Sequence, residues 1–260
     1  MKQDINKPTV WQFLSESRAL LEFGMTSIMM PILLRAPRGD KHPVMVIPGF
    51  LASDVSTCPL RAYLKVKGYT PYGWGLGRNL GSHIVGGENL LSDELLDQVI
   101  RIHVKHDQKV SLVGWSLGGI LAREIARKIP DCIRQVISLG SPFNGPKGTA
   151  PVAAKLFRLL NGDVGERDPA AINAMLTPPP VPCSAIFSRT DGIAHWRACR
   201  DDSFHNKSEN IEVAGSHLGL GHNPQVLWVI ADRLAQAEHH WQPFRQARLH
   251  QFLFANPDRN

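Results

Sequence analysis

Val113-Gly114-Trp115-Ser116-Leu117-Gly118-Gly119 decides how the rest of the chain is read. The residues leading into it, Lys109 to Gly114, form an apolar run that predicts a short buried strand. The residues that follow place Leu117, Leu121, Ile125 and Ile129 at steps of four, one face of a helix that Pro130 closes. A serine between a strand and a helix sits on a sharp turn that forces its side chain outward. The crowded backbone of such a turn needs glycine two residues to either side, here Gly114 and Gly118. The helix that starts there aims its amide dipoles at any negative charge that develops beside the serine.

Outward from this turn the chain alternates strand and helix. Val44 to Ile47 is an apolar run ending in Pro48-Gly49, a strand meeting a tight turn. Pro59 to Lys67 reads as a helix stopped by Gly68, and Tyr69 to Trp74 as a second strand. Leu91, Leu95, Val99 and Ile102 mark one face of a helix reaching about His106. Ile133 to Leu139, Val181 to Phe187 and Ile211 to Ala214 are further strands. Asn223 caps a last helix with Pro224 at its first position and an inner stripe of Leu227, Ile230, Ala231 and Leu234. This order predicts one α/β domain over residues 1–260, a mainly parallel sheet with helices on both faces. Two segments stand outside the rhythm. Residues 1–40 form an N-terminal helical segment, opened by a capping box at Thr9 and Gln12, with Trp11, Leu14, Arg18 and Leu21 at helical spacing. Residues 142–180 are an insertion read as a cap of two small helices, one carrying Val152, Leu156, Leu159 and Leu160, the other starting at Asp168-Pro169. The cap reads either as a fixed cover or as a lid.

A serine hydroxyl becomes a nucleophile only with a base to take its proton and a third group to orient that base. Where a serine stands on a G-x-S-x-G elbow, the acid and then the histidine follow it along the chain, each after a later strand. Asp191 follows the strand ending at Phe187, in Ser188-Arg189-Thr190-Asp191-Gly192. His217 follows the strand ending at Ala214, in Gly215-Ser216-His217-Leu218-Gly219. Asp-Gly is also a common turn pair, Asp201 and Asp202 are rival acids, and His222 is a rival base that lies next to a helix cap. The backbone N–H groups of Leu117 and Phe50 are the expected oxyanion donors. His83 and His195 are candidate pocket walls or solvated side chains, and His239-His240 reads as a polar helix end.

The segments VMVIPGF, LVGWSLGG, SRTDG and GSHLGLGHNP resemble those of bacterial α/β-hydrolases of the lipase and esterase type, over about Val44 to Leu234. The resemblance implies that Ser116, Asp191 and His217 are a catalytic triad, that Phe50 and Leu117 hold the oxyanion, and that carboxylic esters are cleaved without a cofactor or metal. Gly73-Trp74-Gly75-Leu76-Gly77-Arg78-Asn79 is lipase-like as well. Trp74 there, and Trp115 beside the nucleophile, are the expected substrate-lining residues. The chain departs from many such lipases in having Pro48-Gly49 where they have His-Gly. The same three side chains would equally serve an acyltransferase, and a non-catalytic binding protein on the same scaffold is a third reading.

The bulk numbers narrow the partners. With 260 residues, 43% of them hydrophobic and 20% charged, the chain can bury a large core and is no disordered or fibrous protein. Its formal charge of +6 comes without a run of basic residues or a zinc-finger spacing, so nucleic acid is not expected as a partner. The stretch from Gly73 to Gly81 is not G-x-G-x-x-G, so no dinucleotide is expected. The N-terminus lacks the basic-then-apolar pattern of an export signal, which predicts a cytoplasmic protein. Basic charge and the apolar stretch Phe23 to Leu34 are compatible with peripheral contact to an anionic membrane; packing against a core or cap is the commoner fate of such a stretch. The four cysteines read as reduced thiols, with a Cys183–Cys199 bridge as the alternative. Composition gives no oligomeric state.

Overall fold

The structure is a computed structural model that describes residues 7–82, 91–144, 149–161, 177–203 and 206–245. Its centre is a parallel sheet of β1 (Pro43–Ile47), β2 (Thr70–Gly73), β3 (Val110–Trp115), β4 (Ile133–Leu139), β5 (Cys183–Phe187) and β6 (Ser208–Glu212), in the spatial order β2-β1-β3-β4-β5-β6. The central strands are buried on both faces, which explains why they read as unbroken apolar runs. Alternate side chains of β1 go to opposite sides. Val44 and Val46 pack with α3 (Cys58–Val66), α7 (Pro224–Leu234) and Leu33, while Met45 and Ile47 pack with α4 (Asp93–His106) and α5 (Leu117–Lys128). Each such side chain, fully buried, contributes on the order of 1.5–3 kcal/mol.

Strand order reverses at β1, which has β2 on one side and β3 on the other. Loops leaving the carboxyl ends of β1 and β3 therefore diverge and leave a crevice between them. Ile47 pairs with Gly114, so Pro48-Gly49-Phe50 leaves the sheet directly beside Ser116. Trp115 pairs with Leu139, Leu139 with Ile186, and Phe187 with Glu212, which brings the ends of β3, β4, β5 and β6 to one edge.

Some boundaries differ from the sequence reading. The last strand lies earlier than Ile211–Ala214 because its polar start pairs its backbone while the side chains stay half-exposed on an edge strand. Val213 still donates to the Phe187 carbonyl at 2.9 Å, but the Ala214 N–H turns to the Gln225 side chain. The first cap helix is present as α6 (Pro151–Asn161), and the one expected from Asp168 lies outside the described residues. All four cysteines are free. The Cys183–Cys199 bridge is absent, and burial pushes the Cys183 thiol up to about 11, so it is an inert core group.

The N-terminal segment holds the largest surprise. It folds as α1 (Val10–Leu14), a 3-10 turn (Ser15–Arg18) and α2 (Ala19–Leu33), with the predicted capping box in place. The apolar side chains expected to pack inward instead face out. Trp11 and Leu20 are each 81% exposed, whereas Glu16 is 4% exposed.

Candidate active site

Ser116 occupies the turn between β3 and α5 at φ 53°, ψ −120°, a conformation that costs a non-glycine residue on the order of 1–3 kcal/mol. The neighbouring glycines explain how it is held. A Cβ on Gly114 would collide with the Gly118 carbonyl, and one on Gly118 with the Ile47 carbonyl. The strand end, the elbow and β1 are therefore in backbone-to-backbone contact. The Ser116 N–H donates to Leu139 O at 2.8 Å, tying the elbow to β4.

Asp191 and His217 meet as the sequence order predicts. His217 Nδ1 lies 2.6 Å from Asp191 Oδ2, with both side chains buried. The other carboxylate oxygen, Oδ1, accepts from the N–H groups of Ile193 (2.8 Å) and Ala194 (2.7 Å). That fixes the carboxylate and leaves Oδ2 for the imidazole. Burial alone would pull the His217 pKa down. The Asp191 charge and hydrogen bond, with the Glu16 charge behind them, outweigh it and raise the pKa above the ordinary value.

Gly140, at the end of β4 with φ 54°, joins the two halves of the site. It follows Leu139, which binds Ser116. A Cβ on it would stand 3.0 Å from Asp191 Oδ2 and 3.1 Å from His217 Nδ1. Trp115, half-buried beside the serine, donates its indole N–H to His217 O at 3.1 Å. Among the described residues no hydrogen bond closes between the Ser116 hydroxyl and His217. Such contacts are often long in a free site and tighten when substrate arrives.

The rivals are accounted for by other partners. Asp201 forms a buried ion pair with Arg123 at 3.0 Å, and Asp202 pairs with Arg200. His222 Nε2 bonds to Ala19 O, and His195 caps a 3-10 turn through Arg197 N. His83 lies outside the described residues. Trp74 needs a correction. It is fully buried with Met45, Ile47, Leu95 and Val99, its indole donating to Gly77 O at 3.0 Å, so among the described residues it packs as a core residue and not as a pocket wall. Its ring lies at the end of an edge strand, where α4 offers an apolar face. Among the described residues no group of three or more His, Cys, Asp or Glu could hold a metal ion.

Two residues that sequence reading did not single out position the site. Asn79 is fully buried and binds the Pro48–Ala52 loop from three sides. Its amide Nδ2 donates to Pro48 O at 2.8 Å, its N–H to Ala52 O at 2.8 Å, and its carbonyl accepts from Leu51 N at 2.7 Å. This loop carries Phe50, the candidate oxyanion donor. Leu117, the other candidate, opens α5, where first-turn amides have no acceptor within the helix. Asn79→Ala is expected to lower kcat for a soluble p-nitrophenyl ester by about 10- to 100-fold with KM little changed. Removal of an oxyanion donor costs on the order of 100- to 1,000-fold, and here the donor is loosened, not removed. Steady-state kinetics check this; an unchanged kcat would detach the loop from catalysis.

The second is Glu16, buried beneath both loops. Its Oε1 accepts from Gly192 N at 2.7 Å and His217 N at 3.0 Å, and its Oε2 from Leu218 N at 2.8 Å. Glu22 accepts from Ser216 N at 2.8 Å, and Arg18 donates to the carbonyls of Thr190 and Gly215 at 2.7 and 3.0 Å. The fit is close: a Cβ on Gly192 would strike the Gln12 carbonyl, and one on Gly219 the Glu22 carboxylate. The N-terminal segment is thus a clasp across the acid and histidine loops.

No protein-family model matches the chain, and no curated protein matches its sequence. Solved structures do. One of two metagenome-derived lipolytic enzymes is similar at TM-score 0.54 and 16% identity, covering 76% of this chain and 93% of its own. Alpha/beta hydrolase domain-containing protein 10 from mouse is similar at TM-score 0.54 and 18% identity, covering 77% and 92%. A monoacylglycerol lipase from Paleococcus ferrophilus is similar at TM-score 0.51 and 14% identity, covering 75% and 96%. At these identities the likeness is one of architecture, and it agrees with the strand order and the elbow: the chain has the α/β-hydrolase fold.

Proposed function

We propose that the chain is a serine hydrolase that cleaves carboxylic esters through an acyl-enzyme. The observation that carries this reading is the buried Asp191–His217 pair at the sheet edge where Ser116 stands on a strained elbow. In this mechanism Ser116 Oγ attacks the ester carbonyl carbon while His217 Nε2 takes its proton. Asp191 keeps the proton of Nδ1 in place and stabilises the imidazolium. The N–H groups of Phe50 and Leu117 hold the oxyanion. His217 then protonates the leaving alcohol, and water repeats the sequence on the acyl-enzyme. Similarly folded lipolytic enzymes support esters as the substrate class. A medium or long acyl chain is the expected fit. Helix α6 starts beside the Asp191 loop, where Ala150 N bonds to Ile193 O at 2.7 Å, and it exposes Leu159 and Leu160.

A fluorophosphonate probe tests this reading. It should label the chain once, at Ser116, as mapped by peptide mass spectrometry; an unlabelled Ser116 in folded protein would refute the proposal. The pH profile is a second check. His217 must be neutral to accept the proton, and its pKa is raised. Activity should therefore fall as pH drops, with the acid limb of kcat/KM centred above about 6.5, the ordinary imidazole value. A limb centred below that value would contradict the assignment.

A further inference from the structure

We infer that the outer face of the N-terminal clasp docks on an anionic lipid surface. The inference goes beyond ester hydrolysis and does not depend on it. Helix α2 is apolar nearly all round, and the two polar side chains that anchor it, Glu22 and Thr26, face the protein. At 100° per residue, Glu22 and Thr26 share the arc that meets the protein, together with Leu33. The opposite arc carries Leu20, Leu21, Ile28 and Ile32, all exposed, and its only polar residue is Ser27; Phe23 and Met25 are exposed on its flanks, Phe23 with its ring edge-on to His222 at 5.2 Å. Trp11, Phe13 and Leu14 on α1 are exposed as well. A contiguous apolar face of this kind is rarely left to water. The inner side is committed to the acid and histidine loops through Glu16, Arg18 and Glu22, so the helix cannot roll over to bury its apolar side without releasing them.

Charge selects the occupant. Exposed Lys7 precedes the apolar face, and exposed Arg35, Arg38 and Lys41 follow it. The nearby acids are turned to internal partners: Glu16 and Glu22 hold backbone N–H groups, and Asp40 pairs with Arg134 at 2.8 Å. An apolar stripe about 22 Å long, bracketed by cations and bearing aromatic rings, matches a bilayer interface with anionic headgroups. A second copy of the chain fits less well, because twofold packing on this face sets cation against cation in either sense. The segment would lie on the bilayer and not cross it: among the described residues no helix is long and apolar enough to span a membrane.

The test is co-sedimentation of the full chain with vesicles of equal parts phosphatidylcholine and phosphatidylglycerol. Most of the protein should sediment with them, and binding should weaken as salt rises from about 0.05 M to about 0.5 M. The combined variant Leu20→Gln, Leu21→Gln, Ile28→Gln should bind at least about tenfold more weakly, since each change removes buried apolar area. Its turnover of a soluble ester should be unchanged. Quenching of tryptophan fluorescence by brominated lipid, diminished in Trp11→Phe, tests the same face without the triple variant. Wild-type protein that stays in the supernatant would overturn the inference. So would light scattering that shows a dimer which the triple variant dissociates.

Discussion

Ser116→Ala is expected to lower kcat for a p-nitrophenyl ester by roughly 10^4- to 10^6-fold while leaving the fold intact. The size follows from what remains. Asp191 still holds His217 at 2.6 Å, and the proposed oxyanion donors Leu117 and Phe50 are untouched by the change, but no atom is left to carry the acyl group. Water must then attack a carbonyl polarised only by those amides, and such residual catalysis is small beside a covalent route. Stability should change little. Alanine keeps the Cβ, so the elbow at φ 53° bears the same strain, and the N–H of residue 116 can still donate to Leu139 O. The Ser116 hydroxyl takes no hydrogen bond among the described residues, so its removal orphans no buried partner. Burst kinetics and circular dichroism of the two proteins check both halves. A variant that turns over at the wild-type rate would end the nucleophile assignment, and one that unfolds would show that the hydroxyl supports the elbow.

The parts of the site that were legible in the sequence are those whose physics is local. Gly114 and Gly118 flank Ser116 because the backbone of the elbow touches the Ile47 carbonyl, and that crowding is written in the spacing of three residues. Asp191 and His217 were readable because each follows a strand that reads as an apolar run. What could not be read are partners chosen by tertiary contact. Asn79 is one asparagine in a glycine-rich loop, and nothing local says that its amide reaches Pro48 O across 31 residues. Trp74 misled for a related reason: an indole near a site and an indole in the core have the same neighbours in sequence. The N-terminal segment misled most. Its apolar spacing implies a buried side, but two polar pairs, Gln12 with Glu16 and Glu22 with Thr26, are each spaced by four residues. Glu16, Glu22 and Thr26 are the side chains that the segment turns to the protein. It can do so because the loops around Asp191 and His217 present backbone N–H groups that lack strand partners, and carboxylates satisfy them.

Glu16→Ala should therefore damage the protein in two separable ways. Two buried N–H groups, those of Gly192 and His217, and the part-buried one of Leu218 lose one charged acceptor, and no other acceptor stands in its place among the described residues. Each hydrogen bond to a charged group is worth about 1.5–3 kcal/mol, and partial relaxation makes a net loss of about 3–6 kcal/mol the expected result in urea unfolding. This is a large share of the stability of an ordinary domain, so Glu16→Gln is the better probe of mechanism. The glutamine carbonyl can keep the bonds to Gly192 and His217, and only the bond to Leu218 is lost, at a cost of about 1–3 kcal/mol. The charge is lost in both variants. Glu16 is among the groups that raise the pKa of His217, so its neutralisation should move the acid limb of kcat/KM to lower pH. The sign follows directly: without the nearby negative charge the imidazolium is less favoured, and the neutral base persists further into acid. The same loss should lower kcat by about tenfold or more, because His217 carries its positive charge in the transition state and the field that stabilises it is weaker. A residue that merely braces two loops would lower kcat without moving the limb. A Glu16→Gln variant with a wild-type pH profile would assign the clasp to architecture alone, whereas a shifted profile with the fold preserved would make Glu16 a remote positioning residue of the His217–Asp191 pair.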